Sequence, residues 1–307
     1  MRNDKRIRRS DRRGFTLLEL LVVIGIVAML VGILSVGLKN VVRQARSLKQ
    51  RTILRSMDTG LELFAKDFED YPESAMTSNS GSPPYVCGAQ HLVEALVGRD
   101  GRGFEPKTKW YAPSADPTLY TDDQESLWRR KGPYTELKDA GAFLLTELYN
   151  SPATPLFSND SPTEPLKQPR APVFADIFHL RRVPTASRGT VYVGNPIVYF
   201  KADKASRFFG NRTEQPDHDK WIYRYSDCSE IFALGSVKDP AVQHRYAPDF
   251  VDSDTGETGP DLFYEAITNP TMATDRFRKP YNPGTFILMS AGWDGVFGTK
   301  DDVTNFN

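Results

Sequence analysis

Polar and apolar positions divide the chain into three unlike stretches. Residues 20–38 carry no charge, a run of about 19 residues, close to the shortest helix that crosses a bilayer. From Lys39 polar residues return, yet apolar ones recur at helical spacing. Val41, Ala45 and Leu48 form one row; Leu54, Met57, Leu61, Phe64, Ala65 and Phe68 form a stronger one. The pattern predicts one long helix, apolar all round at first and then amphipathic, its stripe toward a domain. Pro72 disfavours a helical Tyr71, so the helix should close near Asp70. At about 1.5 Å per residue, positions 15–70 make a rod of roughly 80 Å.

The third stretch is mixed. Residues 136–149 read as a helix, with Leu137, Ala140, Leu144, Leu145 and Leu148 on one side. Strand-like runs occupy 173–180, 221–225, 231–234 and 285–289. Residues 190–192 and 197–200 flank Gly194-Asn195-Pro196 and read as a hairpin. Residues 151–172 form a Pro-rich loop. The segment 98–283 holds 19 of the 22 prolines.

Charge sharpens the picture at the front. The net charge is +0, from 39 basic and 39 acidic residues, but residues 1–14 hold seven basic and two acidic ones. Removing that +5 head leaves −5 on the rest. A basic head before an apolar run favours retention of the N-terminus on the cytoplasmic side, and the basic residues are not a nucleic-acid patch on the domain. One carboxylate, Glu19, lies just inside the apolar edge. Such a group costs about 2.5 to 3.5 kcal/mol on insertion scales, so it needs a partner.

Gly14-Phe15-Thr16-Leu17-Leu18-Glu19, behind a basic leader and before a spanning run, resembles the processing signal of type IV pilins and type II secretion pseudopilins. The resemblance implies cleavage after Gly14 by a prepilin peptidase, and methylation of the new Phe15 amine to N-methylphenylalanine. It implies that Glu19 meets the Phe15 amine of a neighbouring subunit during assembly. The fold it implies is α+β and pilin-like: a long N-terminal helix, membrane-spanning in its first half, packed on a C-terminal antiparallel β-sheet domain. Residues 1–14 are then the leader, 15–38 the transmembrane half-helix and 39–72 its amphipathic continuation. Residues 73–307 are a periplasmic domain, in which 90–97 resemble the family's short second helix, carrying an insertion at about 98–283.

The C-terminus sharpens the resemblance. Met289 leads into Gly292-Trp293-Asp294-Gly295-Val296-Phe297-Gly298-Thr299-Lys300-Asp301-Asp302. Calcium takes six to eight oxygens from carboxylates and backbone carbonyls on flexible loops. Asp294, Asp301 and Asp302 offer the charged ones, and three glycines let the chain fold back. This loop, 290–302, resembles the calcium loop of the major, G-type pseudopilins. By position, the family's carboxylate ligands fall on Asp294, Asp301 and Asp302, and its carbonyl ligands on Ala291 and Val296. Trp293 departs from the family, standing where a small residue is usual. A second acidic loop, 252–257, reads as a solvated turn.

Cys87 and Cys228 are possible disulfide partners in an oxidising compartment, or two separate thiols. The four histidines form no two-His helical zinc pattern, and no nucleophile elbow, Walker loop or dinucleotide fingerprint is present. The chain reads as the substrate of an enzyme rather than as one. The expected function is a structural subunit of a type II secretion pseudopilus, single-pass in the bacterial inner membrane. Its expected partners are the prepilin peptidase, copies of itself and other pseudopilins and, indirectly, an assembly ATPase and inner-membrane platform proteins. Nucleic acid is not among them. The competing readings are a type IV pilin for adhesion or DNA uptake, and a membrane-tethered binding module.

Overall fold

The long helix forms as one element, α1, Leu17–Phe68. The structure is a computed structural model that describes residues 15–78, 81, 85–111, 119–136, 141–149, 171–178, 181–185, 189–206, 221–272 and 278–306. Within α1 the side chains of residues 33–37 and 39 are not among those described. The leader, the Pro-rich loop from 151 to 170, and the sequences around His179 and His218 lie outside the described residues. The chain divides into two units, Met1–Ala45 and Arg46–Asn307.

In the first unit every large apolar side chain described between positions 17 and 31 is half or more exposed. Among the described residues no helix is long and apolar enough to cross a membrane.

In the second unit α1 turns a stripe inward. Leu54, Met57 and Leu61 are at most 1% exposed, while Leu48, expected on a buried row, is 66% exposed. Burial begins at Gln50, whose Oε1 accepts a hydrogen bond from Ile177 N at 3.2 Å. The stripe meets α2, Gly88–Val97, every residue of which is buried. Gly60 permits that approach: a Cβ there would lie 2.9 Å from Leu96 Cδ2 and 3.1 Å from Tyr134 O. Among the described residues α1 and α2 confirm the helices expected at these positions.

The main sheet has three antiparallel strands in the order β5 (Val198–Lys201), β6 (Phe286–Ser290) and β7 (Val303–Thr304). Val198 faces Met289 and Lys201 faces Phe286; Met289 in turn faces Thr304. All five residues of β6 are buried, because both faces are covered. Successive strand residues point to opposite sides, and two separate cores follow that alternation. Tyr199, Phe286 and Leu288 pack with Leu54, Met57 and Leu61 of α1 and with Leu92 and Leu96 of α2. Val198, Phe200, Ile287 and Met289 pack with Tyr225, Phe232 and Phe263, all contributed by the insertion. Phe200 and Phe263 lie with ring centroids 4.9 Å apart.

The remaining elements are short: α3 (Gln124–Arg129), β1 (Ala142–Phe143), α4 (Leu145–Tyr149), β2 (Val173–Phe174), β3 (Arg181–Thr185), β4 (Gly189–Val193), α5 (Ser229–Ala233) and α6 (Gly259–Ala266). β1 pairs with β2 and β3 with β4, as separate two-stranded sheets. The architecture is therefore α+β, a mixture of helix and small antiparallel sheets.

Several local expectations fail for tertiary reasons. The helix expected over 136–149 shortens to α4, because Ala142 and Phe143 pair with Phe174 and Val173 instead; residues 137–140 lie outside the described set. The hairpin around Gly194 does not form: β4 pairs back onto β3, and β5 pairs with β6. Gly194 is instead pressed against Asp176, where a Cβ would overlap the Asp176 carboxylate. Asn195, fully buried, donates to Gly295 O at 2.8 Å and accepts from Val237 N at 2.7 Å. The chain at 194–196 thus crosses between sheets. Residues 231–234 belong largely to α5, and residues 225–227 to a 3-10 turn, not to strands. Neither run alternates apolar with polar residues as a half-buried strand does. The expected strand over 173–180 keeps two residues as β2, with Ala175 bridging to Pro196. The strand expected at 285–289 is present as β6.

Candidate functional site

Phe15 stands at the head of α1, 81% exposed. Thr16 and Glu19 then close a reciprocal capping box, in which a Thr precedes the first helical residue and an acid sits three positions on. Thr16 N and Thr16 Oγ1 each donate to Glu19 Oε2 at 2.9 Å, and Glu19 N donates to Thr16 Oγ1 at 3.2 Å. Both bonds to the carboxylate fall on Oε2, and Oε1 is uncommitted among the described residues. The Thr-x-x-Glu spacing is visible in the sequence and was the overlooked signal there: Glu19 starts the helix as well as bearing a charge at its apolar edge. A carboxylate in the first turn also complements the helix dipole. Gly14, the expected cleavage position, lies outside the described residues.

The second constellation is the turn between β6 and β7. Gly292, Gly295 and Gly298 all have positive φ, at 67°, 74° and 93°. At Gly292 no side chain fits, because a Cβ would lie 2.1 Å from Asp301 O. The fold brings the three expected carboxylates into this one turn. Asp301 Oδ2 accepts from Asp294 N at 3.0 Å, Asp294 Oδ1 from Val296 N at 2.8 Å, and Asp302 Oδ2 from Gly298 N at 2.8 Å. Asp302 Oδ1 is buried with no hydrogen-bond partner. Burial, and then the charges of Asp294 and Asp301, hold the Asp302 carboxyl well above its usual range. Burial likewise raises Asp294. Among the described residues, however, no three His, Cys, Asp or Glu side chains are gathered closely enough to hold a metal ion. The carboxylates bond to the turn's own amides instead.

Phe232, His244 and Arg245 clamp this turn, which sequence reasoning did not foresee. Phe297 is 0% exposed, and its ring lies 5.2 Å from Phe232. Phe297 N donates to His244 Nδ1 at 3.1 Å, and Phe297 O accepts from Arg245 N at 2.9 Å. Burial pushes the His244 imidazole down to about 4, so it stays neutral and keeps Nδ1 as an acceptor. Trp293 lies under the Arg46 guanidinium, 5.1 Å from its ring centroid. This contact gives the unusual Trp a role on the surface of α1. The other acidic loop is a closed turn: Asp252 Oδ1 accepts from Asp254 N and Thr255 N, and Asp252 Oδ2 from Arg245 at 2.5 Å.

Cys87 and Cys228, 141 positions apart in the chain, are brought together. Both are free and fully buried. The Cys228 thiol donates to Tyr199 O at 3.4 Å, and burial, joined by the neighbouring Cys87, raises its pKa.

Among comparisons with known proteins, the family model described as the prokaryotic N-terminal methylation motif matches residues 9–35. No curated protein and no solved structure matches the chain. The matched segment covers the end of the basic head from residue 9, the Gly14-Phe15 junction, the Thr16–Glu19 cap and the exposed apolar head of α1. It implies processing by a prepilin peptidase and assembly with other pilin-like subunits. The N-terminus of this chain carries a prokaryotic N-terminal methylation motif, which indicates a type IV pilin-like prepilin.

Proposed function

We propose that this protein is a structural subunit of a type II secretion pseudopilus, anchored in the inner membrane by α1 with its domain in the periplasm. The observation that carries the reading is the head of α1. A methylation motif runs into a helix whose described large apolar side chains, from Leu17 to Val31, are half or more exposed. Exposed apolar surface on that scale calls for lipid or for neighbouring copies. Residues 20–38 have the composition of a spanning helix, and lipid would solvate the stem before assembly. During assembly the Phe15 amine of one subunit would meet Glu19 of the next. Oε1 is the oxygen available for that contact, while Oε2 keeps the cap. The paired charges would fix the axial stagger between copies. The peptidase, an assembly ATPase and platform proteins act on the subunit from outside; its own part is to bind, align and stack.

Secretion is favoured over a pilus for adhesion or DNA uptake by the turn at 290–302. Asp294, Asp301 and Asp302 would have to turn from the amides they now bond to hold calcium there, with the carbonyls of Ala291 and Val296. The buried, unpartnered Asp302 Oδ1 fits a cation. When bound, the ion would offset the repulsion among the three carboxylates and tie β6 to β7. A tethered binding module is disfavoured, because Tyr225, Phe232 and Phe263 pack on one face of β5 and β6 rather than forming a separate body.

Intact-mass and N-terminal peptide analysis of the protein from its membrane tests the reading. The expected mature chain begins at N-methylated Phe15. A chain that retains residues 1–14 in working cells, or begins elsewhere, overturns it.

A further inference from the structure

We propose that Cys87 and Cys228 form a disulfide that joins the two layers on either side of the central sheet. Cys87 is the N-cap residue of α2, and Cys228 that of α5. α2 packs its Leu92 and Leu96 on one face of β5 and β6, whereas α5 packs Phe232 on the other. The two thiols therefore meet where the layers join, beside Tyr199 of β5. Their closeness is independently visible at Gly88, where a Cβ would lie 3.2 Å from Cys228 Sγ and 2.4 Å from Tyr199 O. Only a glycine fits there, and it leaves the Cys228 sulfur room beside Cys87. Two buried thiols so placed need little further movement to bond.

The redox step balances with a protein disulfide as oxidant. One Cys thiolate attacks the disulfide of an exported thiol–disulfide oxidoreductase, giving a mixed disulfide and releasing one thiol of that enzyme. The second Cys thiolate then displaces the other enzyme sulfur. The Cys87–Cys228 bond forms, both electrons reduce the oxidoreductase disulfide, and the two cysteine protons end, by way of solvent, on the enzyme's two thiols. Exchange of this kind needs an accessible thiolate. Both cysteines are 0% exposed in the fold, and burial, joined by the neighbouring thiol, opposes ionisation of Cys228. Oxidation must precede closure of the core, and the finished bond should be shielded from reductants. The bond closes a loop of more than a hundred residues, the range in which cross-links restrict the unfolded chain most.

Full-length protein, exported by its own cells and purified in detergent, is denatured in excess iodoacetamide with or without prior reduction, then digested. The expected result without reductant is no alkylation at Cys87 or Cys228 and a disulfide-linked peptide pair. Reduction in denaturant should release both sites, whereas dithiothreitol added to the native protein should leave the bond intact for hours. Alkylation of both cysteines in most chains without reductant overturns the proposal. So does rapid reduction of the native protein at the rate seen in denaturant. A mature start at Phe15 combined with two free thiols would overturn this inference alone and leave the assembly reading standing.

Discussion

Leu21 and Leu61 belong to the same helix, yet Leu21 is 57% exposed and Leu61 is 0% exposed. Leu61 has Leu92, Leu96 and Leu288 around it, supplied by α2 and the sheet. Leu21 lies in a unit that offers nothing to bury it. The two halves of α1 are both helical, but for different reasons. The second half is held by tertiary packing of an amphipathic face, the usual source of helix stability. The first half has a capping box, but it is rich in β-branched residues and holds Gly25, Gly32 and Gly37, which weaken a helix in water. Its described apolar side chains are exposed. One continuous backbone thus carries a surface for association and a surface for folding.

The contrast can be broken most completely at Glu19. Under the assembly reading, Glu19→Ala abolishes filament formation, read by cross-linking or microscopy, while the protein stays in the membrane fraction. Glu19→Gln separates the two roles of the side chain. Gln at this position also closes a capping box but carries no charge, so it should fail to assemble as fully as Ala. If Glu19→Gln assembles normally, the cap matters and the acid-to-amine contact does not.

Leu61→Ala and Leu21→Ala sharpen the comparison on stability. Removing a fully buried Leu side chain costs about 3 to 5 kcal/mol, and denaturant unfolding of the domain should show that loss. Leu21→Ala should change domain unfolding by less than about 0.5 kcal/mol while weakening association.

Asp176 gives the folded unit a pH signature that the stem lacks. It is buried beside Ser290 Oγ, which donates to its Oδ2 at 3.0 Å. Burial pushes its pKa up to about 7 from the ordinary 3.8, so the folded state holds this proton more tightly than the unfolded chain. Its contribution is therefore greatest below about pH 4 and is lost as pH rises toward 7, by roughly 3 kcal/mol. Asp176→Asn should flatten that part of the stability–pH curve in urea titrations. An unchanged curve would mean that the carboxyl ionises freely in the fold.

The smallest effect concerns the turn. Calcium at ten times its dissociation constant should stabilise the domain by about 1.4 kcal/mol, or about 3 to 6 °C in melting temperature. Asp294→Ala should remove most of that gain. A melting curve insensitive to calcium would leave the turn held by its own amides and by His244.

Much of the stem was legible because its signals are local. Thr16 and Glu19 sit three residues apart, and the stripe from Leu54 to Phe68 repeats at helical spacing. The three aspartates of the turn were also readable, since glycines at 292, 295 and 298 mark where the chain reverses. The insertion was read poorly. Residues 231–234 read as a strand but form most of α5, and Gly194-Asn195-Pro196 resembles a hairpin turn yet crosses between sheets. The missed helix α6 had a readable start: Thr258 and Asp261 form its capping box, with Pro260 in the first turn.

The sequence alone determined the processed head, the helix behind it, the capping pair and the position of the acidic turn, because each depends on residues a few positions apart. Tertiary structure decided which strands pair, that the insertion covers the second face of the sheet, that His244 and Asn195 hold the turn, and that Cys87 meets Cys228. Those contacts join residues tens to hundreds of positions apart. Closing such loops is repaid only by packing against a particular partner, and a short apolar run does not name its partner.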